Sequence, residues 1–152
     1  MAIVTDTTLH TALRARGQRA TPQRLMIAAT VRGLRRHATA EEIHTEVGAR
    51  MPGVSLPTVY ATLELLEDLG LVRRVATASG TAVYDPRTDE HHHLVCRRCG
   101  AIMDLDAPVD HGALLGAARG AGFVPDDAQV VVRGLCAGCA AGAAAAPPRA
   151  AR

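Results

Sequence analysis

Ser55-Leu56-Pro57-Thr58-Val59-Tyr60-Ala61-Thr62-Leu63-Glu64-Leu65-Leu66-Glu67-Asp68-Leu69-Gly70 is a helix written with both its ends. Ser55 is a residue type that caps a helix with its side-chain oxygen, and Pro57 stands in the first turn, where a missing N–H costs nothing. Val59, Leu63, Leu66 and Leu69 recur at helical spacing and make one apolar stripe, and Gly70 supplies the stop. Tyr60, Thr62 and Glu64 lie off that stripe and are expected to face outward. What comes next decides the fold. Residues 71–75 and 81–84 read as two short strands joined by Ala78-Ser79-Gly80, so a hairpin follows the helix directly.

Upstream the chain reads as three more helices. Residues 6–16 place Leu9 and Leu13 one turn apart. Thr21-Pro22 opens a second helix expected to run to about Arg32, before Gly33. Thr39-Ala40-Glu41-Glu42 fits a capping box and starts a third through Ile43 and Val47. Helices followed at once by a hairpin give the order of a winged helix-turn-helix, in which the helix before the hairpin enters the DNA major groove; a generic small helical bundle is the competing reading. Residues 1–40 carry Arg14, Arg16, Arg19, Arg24, Arg32, Arg35 and Arg36 against one acid, Asp6. That asymmetry points to nucleic acid, with a solvated helix face as the competing reading, and net charge over the 152 residues is only +2.

Downstream, Asp85 to Glu90 is charged and contains Pro86, which marks a linker. Then comes His91-His92-His93-Leu94-Val95-Cys96-Arg97-Arg98-Cys99, answered by Cys136-Ala137-Gly138-Cys139. All four cysteines fall in C-x-x-C pairs, the spacing at which a turn aims two thiolates at one ion. Four thiolates close a tetrahedral zinc site, which builds structure and does no chemistry. In an extended strand His91 and His93 share a face and His92 takes the other. If Cys96 pairs with Ala101 across a turn, His93 lies opposite Asp104 on that face. A carboxylate beside two imidazoles is a metal site for an ion that comes and goes. Asp85 could add an oxygen, and His37, just before the third helix, could be held against the linker. Residues 108–120 read as an Ala/Gly-rich helix, and residues 129–135 as a buried strand that delivers Cys136 and Cys139.

The domains expected are therefore 1–85 (winged helix), 86–90 (linker), 91–140 (a small α/β domain with structural zinc) and 141–152 (a disordered, alanine-rich tail), an α+β chain overall. Apolar residues make up 48% of it, and with three aromatics (Tyr60, Tyr84, Phe123) the core must be built from Ala, Val and Leu. No apolar run nears the ~20 residues that span a bilayer, and the N-terminus shows no signal-peptide pattern. A soluble, cytoplasmic protein without a membrane partner is expected. Paired cysteines in such a chain read as zinc ligands rather than disulfides.

Taken in order, R-x-T-x-Q-R, H-x-T-A-E-E, S-x-x-T-V-Y-x-T-L-x-x-L, H-x-H-L-x-C-x-x-C-G and G-x-C-x-x-C resemble the ferric-uptake-regulator (Fur) family over residues 14–139. The resemblance implies a homodimeric, metal-dependent repressor that is not an enzyme, with a winged-helix domain followed by an α/β dimerisation domain, bound to double-stranded operator DNA with an inverted repeat. Carried over residue by residue, it implies structural Zn(II) on Cys96, Cys99, Cys136 and Cys139, and a regulatory Fe(II) or Mn(II) on His37, Asp85, His91, His93 and Asp104. Arg19, Arg24, Ser55, Thr58 and Tyr60 are the expected DNA contacts. Iron-uptake members tend to have Glu where this chain has Asp85 and Asp104; Asp at both is similar to the peroxide-sensing (PerR-like) branch. There the resemblance implies oxidation of His37 or His91 to 2-oxo-histidine, followed by release from DNA.

Ala61 departs from the Arg that many members carry after the T-V-Y tyrosine. Asp126-Asp127-Ala128 stands where many have a histidine that completes a further metal site, so a third site is not expected. His10, His44 and His111 lack partners at ligand spacing and read as surface residues, and His92 reads as incidental. The alternatives left open are a divalent-metal regulator without peroxide sensing, a non-haem metalloenzyme, for which no substrate constellation is visible, and a zinc–thiol redox switch.

Overall fold

A computed structural model describes residues 6–77 and 80–142. Their order is α1 (Asp6–Ala15), α2 (Pro22–Leu34), α3 (Ala40–Gly48), α4 (Leu56–Asp68), β1 (Arg73–Ala76), β2 (Ala82–Asp85), β3 (His92–Cys96), β4 (Ile102–Leu105), α5 (His111–Gly120), β5 (Val131–Gly134) and α6 (Ala137–Ala140). The chain divides into two compact units at Asp89/Glu90. The alanine-rich tail expected at the C-terminus lies, from residue 143, outside the described residues.

In the first unit the caps do what the sequence asks of them. Thr21, Thr39 and Ser55 accept from the backbone N–H groups of Arg24, Glu42 and Thr58, and Glu42 returns a carboxylate to the Thr39 N–H at 2.8 Å, completing the box. Each bond satisfies a donor that a helix start leaves without an intrahelical partner. Leu9, Leu13, Ile27, Val31, Ile43, Val47, Val59, Leu63 and Leu66 close the core, with Val72 and Tyr84 sealing it from the hairpin side. β1 and β2 pair antiparallel with Val75 opposite Val83. One further pair of backbone bonds, Ala38 N–H to Tyr84 O at 3.1 Å and Tyr84 N–H to Ala38 O at 2.8 Å, ties the start of α3 to β2.

Three details differ from expectation. Gly33 does not stop α2: the helix runs to Leu34, and Arg35 takes the left-handed turn at φ 48°. Thr62 is buried rather than outward, and its hydroxyl is satisfied there by donating to the Thr58 carbonyl at 2.8 Å. The strand expected over 129–135 is only four residues long and mostly exposed, because it forms one edge of its sheet.

That sheet belongs to the second unit and has the order β4-β3-β5. β3 pairs antiparallel with β4, setting His93 opposite Asp104 as the sequence register predicts, and parallel with β5, setting Cys96 opposite Gly134. Being central, β3 is buried at His92, His93, Val95 and Cys96. α5 has no buried residue. Among the described residues no helix is long and apolar enough to cross a membrane.

Candidate metal centre

The thiol cluster is built by two turns brought together through the β3–β5 pairing. Cys96 ends β3 and Cys99 closes the turn after it. Cys136 and Cys139 bracket the first turn of α6, whose N-cap position is Cys136. Gly100, at φ 74°, lets the chain reverse directly beyond Cys99. The four sulfurs all lie within 4.8 Å of one another, and none is in a disulfide. Thiolates at about 2.3 Å from zinc stand about 3.8 Å apart at tetrahedral angles; Cys99 Sγ and Cys136 Sγ are 3.8 Å apart. The Cys136 N–H donates to Cys96 Sγ at 3.4 Å, and backbone bonds of this kind pull the Cys96 thiol down to about 6. Burial pushes Cys139 up to about 12. Four crowded sulfurs, one readily ionised and one strongly reluctant, form a set that a divalent cation completes. The unit holds a four-cysteine site that fits structural zinc.

Beside it, on one face of β3, the Nε2 atoms of His91 and His93 are 3.1 Å apart with the rings edge to face. Two imidazole nitrogens at that separation must share a proton or a cation. Asp104 Oδ1 lies 3.9 Å from His91 Nε2. Both histidines are buried, whereas Asp104 is exposed. In the first unit the Ala38–Tyr84 bridge makes the neighbouring pair meet: His37 Nε2 lies 3.4 Å from Asp85 Oδ2, with Asp85 only 3% exposed. A turn fixes that carboxylate further, since the Arg87 N–H donates to Asp85 Oδ1 at 2.8 Å. Each unit therefore carries an imidazole–carboxylate group whose donors are nitrogen and hard oxygen.

The opposite face of β3 is packed as well. His92 is buried, with its ring 5.0 Å from that of His111, and His111 Nδ1 lies 2.9 Å from Glu90 Oε1. His111 is thus packed, with Glu90 beside its ring nitrogen, and is not the surface residue expected. His44 is half-buried, with Nε2 2.8 Å from the Val54 carbonyl, while His10 is exposed. The spacing of these residues gave no sign of this, because the partners are backbone or lie outside any ligand motif.

On α4 Tyr60 and Ala61 are exposed, and Ser55 Oγ is 2.8 Å from Thr58 Oγ1. Arg19 is exposed, and Arg24 is half-buried with its guanidinium donating to the Arg19 carbonyl at 2.9 Å.

Residues 15–131 match the Ferric uptake regulator family. The chain belongs to that family. Its members are metal-dependent transcription regulators rather than enzymes, and they bind DNA as dimers. Among its relatives is ferric uptake regulation protein 1 of Mycolicibacterium fortuitum, 41% identical over 120 residues, covering 78% of this chain and 74% of that one. The peroxide-responsive repressor PerR of Staphylococcus epidermidis is 33% identical over 96 residues, covering 63% and 64%. The ferric uptake regulator of Pseudomonas aeruginosa, solved with manganese, superposes with a TM-score of 0.68 at 27% identity, covering 84% and 97%. An α+β Fur-family fold with a four-cysteine site and a His/Asp site is the architecture of this chain.

Proposed function

We propose that this Fur-family protein is a homodimeric repressor that grips an inverted-repeat operator when it carries Fe(II) or Mn(II), and that hydrogen peroxide releases it. Zinc takes Cys96, Cys99, Cys136 and Cys139. The regulatory ion takes His37 and Asp85 from the first unit and His91, His93 and Asp104 from the second. Three imidazoles with two carboxylates suit iron or manganese better than zinc, which prefers four ligands. Arg19 and Arg24 contact phosphates, and Ser55, Thr58 and Tyr60 face base edges. The exposed Leu114, Phe123, Val124 and Val132 offer a second copy an apolar surface. A repressor of this kind works in the cytoplasm.

The peroxide reading rests on one observation: both carboxylates are the short Asp, and each stands within 4 Å of an imidazole nitrogen, His37 at 3.4 Å and His91 at 3.9 Å. Ferrous iron held by these residues would supply the one-electron reduction of peroxide, and His37 and His91 are the rings proposed to take the oxygen. Iron-loaded protein given stoichiometric peroxide gains about 16 Da on His37 or His91 and leaves its operator, while manganese-loaded protein stays unmodified and bound. The higher identity to a ferric uptake regulation protein than to PerR favours a second reading, an iron-level regulator. Unmodified, operator-bound iron protein after peroxide would remove the first reading and leave a regulator of iron or another divalent metal.

A further inference from the structure

The Tyr60 hydroxyl donates to Glu41 Oε1 at 2.6 Å, across 19 positions of sequence, from the exposed side of α4 to the first turn of α3. Both residues are exposed, so burial does not force the contact. A phenol has one proton, and here it is spent on a carboxylate. The direction is reinforced from both ends: the Glu41 bond is the largest influence raising the Tyr60 phenol above its ordinary range, and the same bond holds Glu41 below its own. Arg74 on β1 acts weakly the other way on the phenol. At neutral pH the pair is therefore phenol and carboxylate. The phenol oxygen, its proton spent, can only accept, and so can the carboxylate, which the Glu41 backbone N–H and the Thr39 side chain also engage. The next residue is Ala61, which adds no donor.

We infer that Glu41 is a positioning residue for base readout: it locks Tyr60 into an acceptor-only surface on α4 that selects a base carrying an exocyclic amine, adenine or cytosine, over one carrying a keto oxygen. This rests on the DNA-binding reading above. In the major groove every base pair places its single exocyclic amine on one base and an acceptor oxygen, O4 or O6, on the other. An acceptor-only surface beside one strand thus tells A or C from G or T at that step, and a phenol free to turn would not. Losing a directed base contact costs about tenfold in affinity.

Operator affinity is measured with each base substituted in turn, for the wild-type metal-loaded dimer, Glu41→Gln and Tyr60→Phe. The wild type shows one half-site position where A and C bind about tenfold better than G and T. Glu41→Gln, which can donate as well as accept, levels that position to within about twofold by improving the keto bases, and Tyr60→Phe levels it by weakening the amine bases. A structural role for Glu41 would lower affinity for all operators alike and leave the preference intact; that pattern overturns the proposal. So does ultraviolet titration of the free protein in which the phenol that Tyr60→Phe removes titrates at the same pH in wild type and Glu41→Gln. Protein that binds no operator in any metal state defeats the DNA-binding reading itself, whereas binding with an unchanged base profile defeats only the role of Glu41.

Discussion

Replacing Cys96 by serine should unfold one half of the molecule and spare the other. The first unit has its own core of fifteen buried apolar residues between Leu9 and Tyr84. In the second unit, among the described residues, Val95, Cys96 and Cys139 are the only buried residues that are apolar or sulfur-bearing, and α5 buries nothing. Burying a valine is worth about 1.5–3 kcal/mol. A structural zinc site contributes about 10–16 kcal/mol, several times that packing and comparable with the whole stability of an ordinary domain, about 5–15 kcal/mol. A serine hydroxyl is a poor zinc ligand, and the Cys136 N–H loses its sulfur acceptor as well. Hydrogen exchange read by mass spectrometry, at a protein concentration low enough to disfavour self-association, separates the two units. In zinc-free Cys96→Ser the amides of β3 and β5 should exchange at the rate of an unfolded chain, while those of α2 and α4 keep wild-type protection. Operator binding should vanish with the dimer. A zinc-free variant whose β3 amides stay protected would refute the reasoning, because it would show packing sufficient to hold the sheet without the ion.

Zinc uptake at pH 7 should release fewer than the four protons of four neutral thiols, since Cys96, held at about 6, is already a thiolate, while Cys139, held at about 12, must give up its proton. As pH falls through about 6 one more proton is released and affinity drops more steeply, which calorimetry in buffers of different ionisation enthalpy reads directly. Asp104→Glu should keep metal-dependent DNA binding but blunt peroxide oxidation of His37 or His91, since the longer side chain changes where the oxygen sits; oxidation at the wild-type rate would remove Asp104 from that role. Thr39→Ala should cost about 1 kcal/mol, the worth of an N-cap, by deleting the hydroxyl that Glu42 N–H uses. A denaturation midpoint equal to wild type would show that the box is not needed.

The parts of this fold that were legible are those written in local chemistry. Thr21-Pro22, Thr39 with Glu42, and Ser55 each announce a helix start, and the structure puts one after each. The His93–Asp104 pairing followed from counting back from one turn. What was not legible depends on individual contacts and sheet positions that no residue pattern records. The Thr62 hydroxyl spends itself on a carbonyl one turn back, so a polar residue goes inside. Arg35 takes a conformation usually left to glycine because α2 overruns Gly33. The run around Val131 looks buried by composition, yet it lies at a sheet edge. The Glu90–His111 and Glu41–Tyr60 contacts join residues that belong to no common motif.

β3 alone carries His93 on one face, His92 on the other and the first thiol at its end. A strand loaded this way imposes an order of supply on the cell. Two of the imidazoles proposed to sense iron or manganese, those of His91 and His93, acquire their places only once the thiols have drawn the sheet together, so zinc must arrive first. A cell starved of zinc would make this regulator and find it deaf, whatever its iron or peroxide. The genes it controls would then escape repression for want of a metal they have nothing to do with.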